Sequence, residues 1–337
     1  MARRLLLFLM TEAMEGAEFC FPLLLNSSCK KPEPPRSITL LLYIVLSVIS
    51  LLTVTLNLLV IISISHFRQL HTPTNLLLLS LAVSDFLVGS LLIPVEILMT
   101  ATCWMLGDMM CALYYMLPVI IITSSVANMV LISVDRYMAI CDPLHYPTKV
   151  TLKVGTVYVL LCWSYSSINS VFLLYDNLKQ PGRYNSCNGE CVVSISGTAD
   201  LVVGFILPIT VIVVLYTRVF MVAVSQARAM KSHVASGSVK HLKIVKVKRS
   251  EMKAAKTLSI LIVVFLMCYS PYYCVSLSGQ DILIGSSTEA FMIFLMYFNS
   301  CLNPIIYALF YPWFKKATRI IVTFKILQSN SSEANIL

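Results

Sequence analysis

Three carboxylates in this chain stand inside runs of apolar residues, where ionised groups are rare. Asp200 lies in 197-GTADLVVGFILP-208, Glu96 comes two residues after Pro94 in LLIPVEILM, and Asp85 sits in LAVSDFL. An acid at membrane depth is expensive, and those that persist there usually have a task. The chemistry open to such a group is cation recognition: charge-assisted hydrogen bonds to a primary ammonium, strengthened by cation–π attraction to aromatic rings. Tyr272, Tyr273 and Tyr297 can supply the rings. A plainer reading of Asp200 is a helix-start carboxylate favoured by the macrodipole, and of Glu96 a side chain that snorkels to the interface. If both face one cavity from opposite walls, they suit a diamine or polyamine. Asp281 and Glu289 add a negative rim that attracts cations. Asp85 differs, because Ser125, Asn299, Ser300 and Asn303 offer hydroxyl and amide oxygens in neighbouring spans. That set resembles a cage for a hard cation, with sodium the available one. No catalytic constellation is visible, so the chain is not expected to be an enzyme.

The elements that must position these groups follow from composition. Of 337 residues, 58% are hydrophobic and 12% charged, with a mean hydropathy of +0.83. A soluble domain carries about 25% charged residues. Apolar runs of about 20 residues read as transmembrane helices. Seven are present, at roughly 38–66, 74–101, 108–140, 153–174, 196–226, 252–277 and 287–311. They predict an all-α membrane protein, a seven-transmembrane helix bundle over 37–311. An N-terminal tail over 1–36 precedes it, and an amphipathic helix and tail over 312–337 follow. With the N-terminus outside, 18 of the 25 Lys and Arg residues fall on the inner side, which is the positive-inside bias. The net charge of +9 therefore belongs to cytoplasmic loops that face lipid or a partner, and not to a nucleic-acid site. A transporter would show inverted repeats or paired broken helices, and none is visible.

Further signals lie along the spans. Asn57 and Asn128 read as structural groups hydrogen-bonded across helices. Pro94, Pro118, Pro208, Pro271 and Pro304 fall inside helices and predict kinks. At the inner end of the third span, 135-DRY-137 places Arg136 where it can pair with Asp135 or reach Glu251, at the start of the sixth. A weak pair between helices makes a latch that a ligand can shift. Phe314, Ala317, Ile321 and Phe324 form one apolar stripe beside Lys315, Lys316 and Arg319, predicting a helix lying on the inner leaflet. Six of the eleven cysteines, Cys20, Cys29, Cys103, Cys111, Cys187 and Cys191, fall on the oxidising side. Connectivity does not follow from counting them. Asn26 opens an outer acceptor sequon. MARRLLLFLM resembles the start of a signal peptide, but its apolar stretch is short, so an unstructured tail is expected.

DRY at the end of the third span, 303-NPIIY-307 at the end of the seventh, and Asn57, Asp85 and Trp163 in the first, second and fourth together resemble the rhodopsin-like (class A) G protein-coupled receptors. Within that class, 299-NSCLNPIIYALFYPWF-314, 187-CNGEC-191 and the NSSC at 26–29 are similar to the trace amine-associated receptors. The resemblance implies disulfides Cys111–Cys191 and Cys29–Cys187, with Cys20 competing for Cys29 and Cys103 lacking an obvious partner. It implies an activation relay of Phe265, Tyr269, Tyr216, Tyr307 and the DRY residues Asp135, Arg136 and Tyr137. Tyr269 stands where the class usually has tryptophan. Pro143 and Leu144 would meet the G protein. The class usually holds a ligand ammonium with a third-span aspartate eighteen residues before the DRY arginine, and here that position is Pro118. The expected function is an olfactory amine receptor that uses Asp200 instead. It would sit in the plasma membrane and raise cyclic AMP through a stimulatory or olfactory G protein. A class A receptor for a non-amine ligand is the alternative.

Overall fold

The computed structural model describes residues 19–24, 27–31, 37–100, 102–234, 259–274, 277, 287–328 and 330–336. The helices are α1 (Ser37–His66), α2 (Pro73–Leu87, continuing as Ile93–Thr100), α3 (Asp108–Cys141) and α4 (Leu152–Leu173). They are followed by α5 (Gly197–Asp200, continuing as Leu207–Val234), α6 (Ser259–Cys274), α7 (Ser287–Phe310) and α8 (Pro312–Val322). Among the described residues, six helices are long and apolar enough to cross a membrane, and Ser259–Cys274 is a shorter apolar helix. The remainder of the sixth expected span lies outside the described residues.

Local chemistry sets the helix ends. Thr72 accepts the Asn75 amide at 3.2 Å with Pro73 in the first turn, and Ser196 accepts the Ala199 amide at 3.5 Å. Each side-chain oxygen satisfies a donor that the helix start leaves open. The prolines act as their chemistry requires. A proline ring collides with the carbonyl four residues earlier, which for Pro94 and Pro208 belongs to Ser90 and Gly204. Both residues fall in π-helical turns, Val88–Leu92 and Leu201–Ile206. Such turns relieve the collision by widening the helix. In the first of them, Ser50 donates to the Gly89 carbonyl at 2.6 Å. Pro304 leaves the Ser300 carbonyl without a helical donor, and Asn57 Nδ2 supplies one at 3.1 Å.

α3 forms the axis of the bundle, packed against α2, α4 and α5, while α1 closes on α2 and α7. Leu77, Leu78, Leu81, Met129, Ile132, Phe265 and Tyr307 make the buried core. Leu41, Leu51, Leu160 and Phe172 are exposed on the outside of the bundle, the arrangement of helices solvated by lipid.

MARRLLLFLM, expected as an unstructured tail, lies outside the described residues. Residues 19–24 and 27–31 lie across one end of the bundle, where Cys29 N donates to Asn188 O (2.9 Å) and Asn188 N donates to Ser27 O (2.7 Å). Three disulfides fasten this cap: Cys29–Cys187, Cys111–Cys191 and Cys20–Cys103. Cys103 thus has a partner, and Cys20 does not compete for Cys187. Gly189 permits the third bridge. Its φ of +103° suits glycine, and a Cβ there would lie 2.7 Å from Cys20 Cβ. Asn26 lies outside the described residues.

At the other end, α8 buries Trp313, Phe314 and Ala317. The expected stripe stops short of Phe324, which adopts φ 56° beyond the helix and is exposed.

Candidate functional site

A cavity of about 1370 Å³ opens beneath the cap. Every sequence-predicted ligand residue reaches its wall: Asp200, Glu96, Pro118, Tyr272, Tyr273 and Tyr297. Their settings differ. Glu96 Oε2 accepts the Tyr114 hydroxyl at 3.0 Å, so Glu96 faces the bundle and does not snorkel out. Asp200 lies one turn into α5, and its carboxylate makes no hydrogen bond or ion pair among the described residues. A half-buried carboxylate without a partner is a costly feature for a fold to retain.

Gly204 is the residue that the sequence reading missed here. A Cβ on it would stand 2.9 Å from the Tyr273 hydroxyl and 3.0 Å from Asp200 Oδ1. The glycine therefore leaves the space in which the acid and the phenol converge. Its signal was a glycine one helical turn beyond the acid, on the same face. The Tyr273 ring stacks on Phe205 with centroids 4.4 Å apart and meets Tyr272 edge-on at 5.0 Å. Acid, hydroxyl and ring faces are the groups with which a protein can hold a cation. Gly204→Ala is expected to weaken an amine response about tenfold through crowding, measured as a shift in half-maximal concentration at unchanged surface expression.

Asp85 is fully buried and accepts Asn303 Nδ2 at 2.8 Å, with the Ser300 hydroxyl also on its carboxylate. Ser125 meets Ser84 at 2.9 Å and not Asp85 itself. Among the described residues, Asn299 Nδ2 is a buried donor without a partner, and Asn303 Oδ1 and Asn57 Oδ1 are buried acceptors without one. A carboxylate among unsatisfied oxygens fits a hydrated hard cation.

At the far end of α3, Arg136 Nη2 bonds Asp135 Oδ2 at 2.5 Å. The pair does not stand alone. Tyr146 donates to Asp135 Oδ1 at 2.7 Å, Thr74 donates to Oδ2 at 2.8 Å, and Arg136 also reaches Thr74 and Tyr146. Burial, followed by the Asp135 charge, pushes the Tyr146 phenol up to about 12. The structure therefore realises the Asp135 pairing of Arg136, and Glu251 lies outside the described residues. Thr74 and Tyr146 were not foreseen, since neither adjoins DRY in sequence. Tyr137 packs beside Ile140 and Val219. The Tyr307 hydroxyl is buried without a hydrogen-bond partner among the described residues, and the buried Tyr216 hydroxyl lies beside Ser133. Phe265 and Tyr269 are buried with ring centroids 4.3 Å apart. Pro143 and Leu144 are exposed in the α3–α4 loop.

With this geometry in place, comparison with known proteins is informative. Residues 56–307 match the family model of the 7 transmembrane receptor (rhodopsin family). The chain is 36% identical over 331 residues to trace amine-associated receptor 4 of Mus musculus, covering 95% of each protein. It is 37% identical over 340 residues to trace amine-associated receptor 13c of Danio rerio, covering 97% of this chain and 98% of that one. A rat relative, trace amine-associated receptor 8c of Rattus norvegicus, is 37% identical over 327 residues, covering 92% and 94%. The chain belongs to the trace amine-associated receptors. It is accordingly a multi-pass membrane receptor and not an enzyme, one that takes a small-molecule ligand and couples to a G protein. The cavity beneath the receptor's cap lies where such a ligand binds in a helix bundle.

Proposed function

We propose that the receptor senses amines and holds the ligand ammonium on Asp200, in the fifth helix. The observation that carries this is the unpartnered Asp200 carboxylate on the cavity wall, with Pro118 on the α3 wall where the class usually supplies an acid. The names of its relatives agree with an amine ligand. The N-terminus and the disulfide cap are extracellular, as the surplus of Lys and Arg at the opposite end supports. Binding favours a state in which Arg136 is released from Asp135, Thr74 and Tyr146 and the inner face opens, because a ligand shifts an equilibrium by its differential affinity. The partner is a stimulatory or olfactory G protein, the second messenger is cyclic AMP, and the site of expression is the olfactory neuron.

A cyclic AMP reporter in cells expressing the receptor, screened against primary amines and the alcohols of matching shape, tests this reading. Amines are expected to signal and alcohols to remain silent. A response to neutral ligands alone would favour the non-amine alternative, which the proline at position 118 motivates.

Sodium in the Asp85 cage stabilises the inactive state. Replacing choline by sodium is expected to raise the thermal midpoint of the purified receptor by about 2–5 °C and to have no effect on Asp85→Asn. A shift that survives in the variant would remove sodium from this site.

A further inference from the structure

The cavity does not end at the amine site. From Asp200 it continues inward along one face of α5 through Val203, Leu207 and Val211, a spacing that keeps side chains on one stripe. Tyr158, Leu161 and Tyr165 wall it on α4, and α3 forms the floor. α4 and α5 each pack on α3 but make little contact with one another. Leu161 is 60% exposed and Leu207 55%, so the groove opens sideways toward the bilayer between the two helices. The stripe from Asp200 to Val211 is about 16 Å long, enough for an alkyl chain of about ten carbons. No charged residue lines this lower stretch among the described residues.

The geometry points to an amphipathic ligand: a primary amine whose ammonium sits on Asp200 and whose linear hydrocarbon chain lies in the α3–α4–α5 groove, tail to the lipid. This rests on the amine reading above and makes it more specific. Charge complementarity fixes the head, and continuity of the apolar wall fixes the tail. The same geometry disfavours a long diamine. Glu96 is already engaged by Tyr114, and a second ammonium at the end of the chain would enter the apolar stretch, where an unpaired charge is not tolerated.

Binding of propylamine, hexylamine and decylamine, and of the diamine of decylamine's length, to the full chain in lipid nanodiscs tests the proposal. Affinity is expected to rise about threefold to fourfold per added methylene, and the diamine to bind more weakly than decylamine. Leu161→Trp and Val211→Trp, at lipid-facing positions, are expected to collapse the decylamine-to-propylamine affinity ratio. Leu161→Ala, which thins the wall without filling the groove, should lower it far less than either tryptophan. Equal affinity for all chain lengths, a preference for the diamine, or a ratio unchanged by both tryptophans would overturn the proposal. Asp200→Asn separates the two layers. If it leaves propylamine binding intact, the amine site itself is misplaced. If it abolishes binding of every amine while wild type shows no chain-length dependence, only the groove assignment fails.

Discussion

Asp200→Asn is expected to weaken the response to a primary amine about 100-fold or more, since losing one side of a desolvated charge pair costs about 2–5 kcal/mol. Asparagine keeps the shape and one acceptor oxygen, so the α5 start and its Ser196 cap should be undisturbed. The variant also removes an acid that has no side-chain partner among the described residues. Without ligand, its thermal midpoint should therefore equal or exceed that of wild type, because relieving an uncompensated buried charge is favourable. The plainer reading of Asp200, as a helix-start carboxylate, makes the opposite prediction: a small loss of stability, about 0.3–1 kcal/mol, and no change in amine potency. Potency and thermal midpoint measured together on one preparation decide between them.

The second large effect concerns the cap. Cys20→Ser or Cys103→Ser is expected to destabilise the extracellular end by about 3 kcal/mol and to leave the other two disulfides intact. The 83-residue separation of Cys20 and Cys103 overstates the constraint this bond adds. With Cys29–Cys187 and Cys111–Cys191 closed, the chain already links Cys20 to Cys103 through residues 20–29, 187–191 and 103–111. The last bond therefore closes a ring of about 24 residues, for which chain entropy gives about 3–3.5 kcal/mol. The cap backbone agrees, since Trp104 N donates to Gly189 O at 2.9 Å beside the bond. A membrane-impermeant maleimide should label one more thiol per chain in Cys20→Ser than in wild type, and the gain should vanish in the double variant. Full wild-type stability in Cys20→Ser would show that the bond constrains nothing.

Much of this was legible in the sequence, for physical reasons that also explain what was not. Helices that must satisfy every backbone group inside lipid are written as long apolar runs, so six of the spans could be read within a few residues. Asp200 stood out because charge is rare in such runs. The partners of these groups were harder to find, because they converge from elements far apart in the chain. Thr74 and Tyr146 meet Asp135 and Arg136 across two other segments, and nothing local marks them. Cys103 found Cys20 only because residues 19–24 and 27–31 fold over the α3 end and Gly189 lets the chains approach. The extent of α8 was misjudged at Phe324, since helical spacing continues in the sequence after the backbone has turned left-handed. Gly204 had a sequence signal in its spacing from the acid, but the need for glycine shows only once the Tyr273 hydroxyl shares its surface.

The most direct measurement is a double-mutant cycle in which the ligand supplies one of the changes. Affinities of a primary amine and of the alcohol of the same shape are measured on wild type and on Asp200→Asn. If the ammonium rests on Asp200, the amine loses about 100-fold on the variant while the alcohol is nearly unaffected, a coupling of about 2.7 kcal/mol. Equal losses for both ligands, or none for either, would contradict the placement of the ammonium on the fifth helix.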